Sequence, residues 1–60
     1  MDKDQAEKLA KSNWGVNAFA LVEKGINKCW VGEYNGPLRQ YYGRGKTWEE
    51  AFLNAQLQLN

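Results

Sequence analysis

The chain has no histidine, one cysteine and one proline among its 60 residues. Without histidine the common zinc ligand sets cannot be assembled, and a single cysteine, Cys29, rules out an internal disulfide. Cys29 reads as a small buried hydrophobe. No apolar run approaches the roughly 20 residues that a membrane helix requires. The charged start MDKDQAEK does not resemble a secretory signal. The expectation is a cytoplasmic protein that makes no membrane contact. Charge of one sign is also scarce, with a net value of +1. At 43% hydrophobic and 13% aromatic residues, the composition is that of a globular chain rather than a disordered one. One domain, residues 1–60, is expected. A domain this small buries only about 60% of the surface its unfolded chain exposes, so help from a partner is a fair expectation.

The means for catalysis are equally sparse. Ser12 and Cys29 have no histidine to activate them, and Glu49 and Glu50, as neighbours on a helix, do not face each other. Gly45-Lys46-Thr47 before a helix invites a P-loop reading, but the position five residues before Gly45 is Gln40, where that motif needs glycine. The sequence is therefore read as a non-enzyme that uses no cofactor and holds no metal.

What the chain does have is concentrated in its last third, GRGKTWEEAFLNAQLQLN. Thr47 is placed to N-cap a helix, and Glu50, three residues on, to complete a capping box. Gly43 and Gly45 read as loose backbone before it. Trp48, Ala51, Phe52, Ala55 and Leu59 follow the spacing of one helical face, widened by Leu53 and Leu57. At the other end, Asp2 or Asp4 caps a short helix ending near Asn13, with Gln5 or Glu7 three residues after the cap and a thin stripe of Ala6, Leu9 and Ala10. Trp14 follows as an anchor.

Between the helices, residues 16–24 and 27–34 are rich in β-branched and aromatic types and flank Gly25-Ile26, a pair suited to a type II′ hairpin turn. That turn sets Glu23 opposite Lys28. A second turn at Asn35-Gly36-Pro37, read as slightly wider because proline lacks an N–H, leads to a third strand over residues 38–42. The fold class is α+β, in the order α-β-β-β-α, with a three-stranded antiparallel meander and two helices.

Side chains on strands alternate, so this register sorts them onto two faces. Val16, Ala18, Ala20, Val22, Cys29, Val31, Leu38 and Tyr42 share one face. Phe19, Leu21, Trp30, Tyr34 and Tyr41 share the other, with Lys28 and Arg39 among them. A meander covered on one side alone normally shows polar residues on the other, yet neither face here reads as solvent-facing. Either the helices lie on opposite faces, or both lie on the small-residue face and the aromatic face meets a partner. The first helix has too little apolar surface to cover several rings, which favours the second arrangement.

The tail carries two resemblances. Thr47, Glu49, Glu50, Ala51, Asn54 and Ala55 are similar to the final helix of HicB-type antitoxins, of the form T-x-E-E-A-x-x-N-A. The α-β-β-β-α order, with Gly43, Gly45 and Thr47 before the last helix, resembles the double-stranded RNA-binding domain. In that family a lysine cluster after the turn grips phosphates, whereas Trp48, Glu49 and Glu50 stand here. Acidic side chains at that helix start repel the phosphate backbone, against duplex RNA binding in the family's manner. Such compact modules also resemble accessory proteins of phages and mobile elements, for which the compartment would be the host cytoplasm.

Two functional expectations result. The first is a protein-interaction module, self-associating as a homodimer or docking on another protein through Phe19, Leu21, Trp30, Tyr34 and Tyr41, with Lys28 and Arg39 setting polarity. An inhibitor or antitoxin-like role fits it. Tyrosine, tryptophan and arginine are the residue types enriched at binding hot spots. The second is a nucleic-acid binder in which Trp30 and Tyr41 stack bases while Lys28, Arg39, Arg44 and Lys46 meet phosphates. Arg44, Lys46 and the first-turn N–H groups of the last helix form a further, weaker anion-site candidate.

Overall fold

Two capped helices and a three-stranded sheet follow one another in a computed structural model that describes the backbone of residues 1–59 and the side chains of residues 1–55. Helix α1 spans Lys3–Trp14. Asp2 begins it with a complete capping box: its carboxylate accepts the Gln5 N–H at 2.8 Å, and the Gln5 side-chain oxygen accepts the Asp2 N–H at 3.0 Å. Glu7 pairs with Lys3 and Lys11, one turn away on either side, at 3.7 and 3.3 Å. The helix stops at Gly15, whose φ of 104° lies in a region that costs glycine little.

The strands are β1 (Ala18–Glu23), β2 (Lys28–Asn35) and β3 (Leu38–Gly45), antiparallel in spatial order β1-β2-β3. Glu23 lies opposite Lys28, as the hairpin reading requires. The two connections exchange the widths expected of them. Lys24, Gly25, Ile26 and Asn27 all lie outside the first ladder, with positive φ at Gly25 and Asn27, so this turn is wider than a Gly25-Ile26 pair. In the second ladder Asn35 faces Leu38, leaving only Gly36 and Pro37 between them. Gly36 takes the positive φ of 65° at the first central position, and the second central position of such a turn needs no N–H, so proline is tolerated there. Strand β1 begins two residues later than its composition suggests. Val16 and Asn17 belong to the turn after α1, in which the Ala18 N–H bonds the Gly15 carbonyl, and Val16 is left exposed.

Helix α2 spans Trp48–Leu59. The Thr47 hydroxyl accepts the Glu50 N–H at 3.1 Å, but the Glu50 carboxylate reaches back to the N–H of Lys46 rather than of Thr47, at 3.4 Å. The first turn is satisfied from both sides all the same.

Both helices pack on the same face of the sheet, α1 over β1 and α2 over β3 and β2. The core between them joins small residues, Ala6 and Ala10 of α1, Ala18, Ala20, Cys29 and Val31 of the sheet and Ala51 and Ala55 of α2, to two large rings of α2, Trp48 and Phe52. Trp14 ties the layers together, stacked on Phe52 at 5.9 Å and tilted against Tyr42 at 5.1 Å. Leu9 and Leu53, counted with the apolar stripes by spacing, are exposed. Val22 and Leu38, on the helix side by register, are exposed near the ends of the sheet. Leu57 and Leu59 lie outside the described side chains.

Gly43 and Gly45 are not loose backbone. They face α2 within β3, and a Cβ on Gly43 would run into the Ala51 carbonyl and the Ala55 backbone, while one on Gly45 would meet Glu50 and Ala51. Hydrogen atoms at these two positions set the helix-to-sheet distance. Gly43→Ala is therefore expected to cost about 3 kcal/mol or more, at or beyond the upper end of overpacking effects, because backbone rather than a mobile side chain must yield. Thr47→Ala removes one capping bond and should cost about 1 kcal/mol. Denaturant unfolding of the two variants against wild type measures both, and a Gly43→Ala protein as stable as Thr47→Ala would contradict this packing.

Candidate functional site: the uncovered sheet face

The opposite face of the sheet has no helix over it. Its side chains follow from the register. Phe19 and Leu21 come from β1, Lys28, Trp30, Gly32 and Tyr34 from β2, and Arg39, Tyr41 and Arg44 from β3. Arg44 belongs to this set because of a bulge. Val31 pairs with Gly43 and Gly32 with Tyr41, so Tyr42 is an extra residue in β3 and strand parity shifts by one. Tyr42 keeps the side that alternation gives it, toward Trp14, while the shift turns Gly43 and Gly45 toward α2 and Arg44 toward the open side.

The rings form one connected row. Tyr34 lies 5.0 Å from Phe19, Phe19 meets Tyr41 nearly edge-on at 5.6 Å and 86°, and Tyr41 meets Trp30 at 4.9 Å and 62°. These are favoured aromatic geometries, each contributing about 0.5–1.5 kcal/mol beyond area burial. An arginine closes each end: Arg39 sits over the Tyr34 ring at 5.9 Å, and Arg44 over the Trp30 ring at 5.4 Å. The Trp30 indole N–H donates to Glu23 at 3.1 Å, the single acid of this face. Interaction with the phenol of Tyr41 first, and with that of Tyr34 after it, raises the Arg39 pKa above the usual guanidinium value, so it stays charged wherever the protein is folded.

Of the residues expected to make this surface, Tyr34 and Tyr41 are open to solvent, at 40% and 45% exposure, and Arg39 is exposed. Leu21, Lys28 and Trp30 are half-buried. Phe19 departs from the expectation: at 6% exposure it is the floor of the row rather than a contact. The reason is Gly32, directly opposite it, which carries no side chain. The Phe19 ring lies over that gap, its Cζ 2.8 Å from where a Cβ would stand, and Tyr34 and Tyr41 close over it. A glycine inside a strand signals such a close approach, and Gly32 with the Gly43 bulge is the clue that spacing alone passes over.

The anion-site candidate is not assembled. The Arg44 guanidinium lies on the open face over Trp30, while the α2 start, on the other side of the sheet, already receives the Glu50 carboxylate at the Lys46 N–H. Asn54 donates to the Arg44 carbonyl at 2.6 Å and so occupies an acceptor on the outer edge of β3. Cys29 is buried among the core residues, and burial first, with Glu49 second, pushes its thiol pKa up. Burial first, then Glu33, likewise raises that of Tyr42, whose hydroxyl lies 3.5 Å from the Glu33 carboxylate. Among the described residues no group of three or more metal-ligating side chains occurs, and no helix is long and apolar enough to cross a membrane.

Compared with known proteins, the chain matches no family model, no curated sequence and no solved structure.

Two outcomes follow from this geometry. Gly32→Ala should cost about 3 kcal/mol or more, because the Gln40 backbone carbonyl must yield as well as the Phe19 ring, and it should shift the ring resonances of Tyr34 and Tyr41 together, as NMR would read. Unchanged resonances would separate Phe19 from the row. Cys29 and Tyr42 both hold their protons more tightly folded than unfolded. Stability should therefore be flat at neutral pH and fall as the pH rises through the ordinary thiol and phenol values of 9.0 and 10.0. A melting temperature that rises over that range would contradict the burial of both groups.

Proposed function

We propose that the protein is a non-catalytic interaction module that docks a protein partner on the uncovered face of its sheet. The observation that carries this reading is the aromatic row itself. Four rings in fixed contact, two of them open to solvent and flanked by arginines, lie on a face that neither helix covers. Rings already packed on one another lose little further freedom on binding, and tyrosine, tryptophan and arginine at the centre of an interface carry a disproportionate share of its affinity. The mode of action is occlusion: the partner's functional surface is buried against Tyr34, Tyr41 and Trp30. An inhibitor or antitoxin-like role, of the kind found in small phage or mobile-element proteins, suits a module with this surface and no catalytic constellation.

A second reading, nucleic-acid binding, draws on the same two arginines. Arg39 and Arg44 lie against rings, and Lys28 adds a third cation to the face. Salt separates the two readings, because phosphate contacts weaken steeply between low and moderate salt while an aromatic protein contact hardly changes.

Affinity capture with wild type and a Tyr34→Ser/Tyr41→Ser variant tests the proposal. Both positions are exposed, so the variant should stay folded, as its circular dichroism would report. The partner should be retained by wild type at moderate salt, lost from the variant, and unaffected by nuclease. Equal retention by a folded double variant would remove the face from the function, and loss on nuclease treatment would favour the second reading.

A further inference from the structure

We infer that the occupant of the open face is an extended acidic peptide segment of the partner, lying along the strands with one carboxylate on Arg39, a second on Arg44 and an apolar side chain between them. This rests on the proposal that the face docks a protein, and specifies what part of a protein fits.

Size is the first argument. Strands of six, eight and eight residues give a face of about 26 by 14 Å. It matches the width and length of a single extended chain of about seven residues.

Charge is the second. Lys28, Arg39 and Arg44 oppose Glu23 alone, and the Glu23 carboxylate is engaged by the Trp30 indole. A face of net positive charge repels a second copy of itself and attracts carboxylates.

The third argument is spacing. Arg39 pairs across the ladder with Tyr34 and Arg44 with Trp30, positions four residues apart on β2. The backbones of the two arginines are thus about 13 Å apart along the strand direction. An extended chain returns to the same side every second residue, so acidic residues at positions i and i+4 reach both arginines while residue i+2 faces the rings. Each guanidinium carbon lies over a ring, at 5.9 Å for Arg39 and 5.4 Å for Arg44, which keeps both groups on the face, where their several N–H donors can meet a carboxylate.

The ring geometry weighs against nucleic acid as the occupant. Base stacking needs open ring faces. Here those of Tyr34 and Trp30 carry arginines, Phe19 is buried, and Tyr41 lies edge-on to Phe19 and tilted against Trp30. Tyr34 and Tyr41 are the rings left open to solvent, and their phenol hydroxyls suit peptide groups.

The test is an NMR titration of the full chain with the heptapeptide Thr-Glu-Thr-Leu-Thr-Glu-Thr, whose two glutamates are four residues apart. Companion titrations use the same peptide with both glutamates replaced by glutamine and an eight-nucleotide oligo(dT). Saturable shifts at the Trp30 indole N–H and at Arg39 and Arg44 are expected. The dissociation constant should rise at least tenfold for the glutamine peptide and for either Arg39→Gln or Arg44→Gln, with melting temperatures of the exposed-arginine variants unchanged. Equal affinity for the glutamine peptide, tighter binding of the oligonucleotide, or a concentration-dependent dimer in sedimentation that excludes the peptide would each overturn the inference. If the captured partner depends on Tyr34 and Tyr41 while the acidic peptide fails to bind, the acidic occupant is wrong and the docking function stands. If both fail, the face is not the site.

Discussion

Close approach of backbones across a seam of alanine and glycine is the constraint on which the rest of this structure depends. Gly43 and Gly45 on β3 meet Ala51 and the backbone of Ala55 on α2, while Ala6 and Ala10 bring α1 against Ala18 and Ala20. Small residues let both helices sit low on one face of a three-stranded sheet, and dispersion grows as backbone atoms come into contact. The same choice restricts the core to one side. Two helices of twelve residues that share a face leave the other uncovered, and four of the chain's eight aromatic side chains, Phe19, Trp30, Tyr34 and Tyr41, gather there.

The uncovered face is ordered by its own contacts rather than by a covering layer. Gly32 removes a side chain from the centre of the sheet, Phe19 fills the gap, Tyr34 and Tyr41 lean over it, and Trp30 extends the row. Each arginine is held against a ring at one end. A surface whose side chains are fixed before binding loses less conformational entropy when a partner arrives, which is the physical reason such a row suits recognition. The β3 bulge couples the two faces. By shifting parity at Tyr42 it sends the glycines to α2 and Arg44 to the rings in one step, so the packing of the core and the charge of the open face are consequences of the same extra residue.

Charge and chemistry narrow what this surface can do. The face carries three cations and one engaged acid, its cysteine lies buried on the helix side, and its exposed hydroxyls are phenols. Cations outnumber acids, and the rings form one connected row with an arginine at each end. A net positive face of connected rings suits the extended acidic chain inferred above.

The element order, both helix caps at Asp2 and Thr47, the Glu23 to Lys28 register and the division of the strands into a small-residue face and an aromatic face were legible in the residues, because capping and strand alternation are local properties. Which side the helices would take was already weighted by the poverty of α1 in apolar area. Three things needed the third dimension. The bulge at Tyr42 depends on how β3 pairs with β2, so the place of Arg44 could not be read from its neighbours. The role of Gly43 and Gly45 depends on where α2 lands, and spacing alone gave them freedom where the structure gives them contact. The burial of Phe19 depends on an empty position across the ladder at Gly32, a long-range absence that no local pattern encodes.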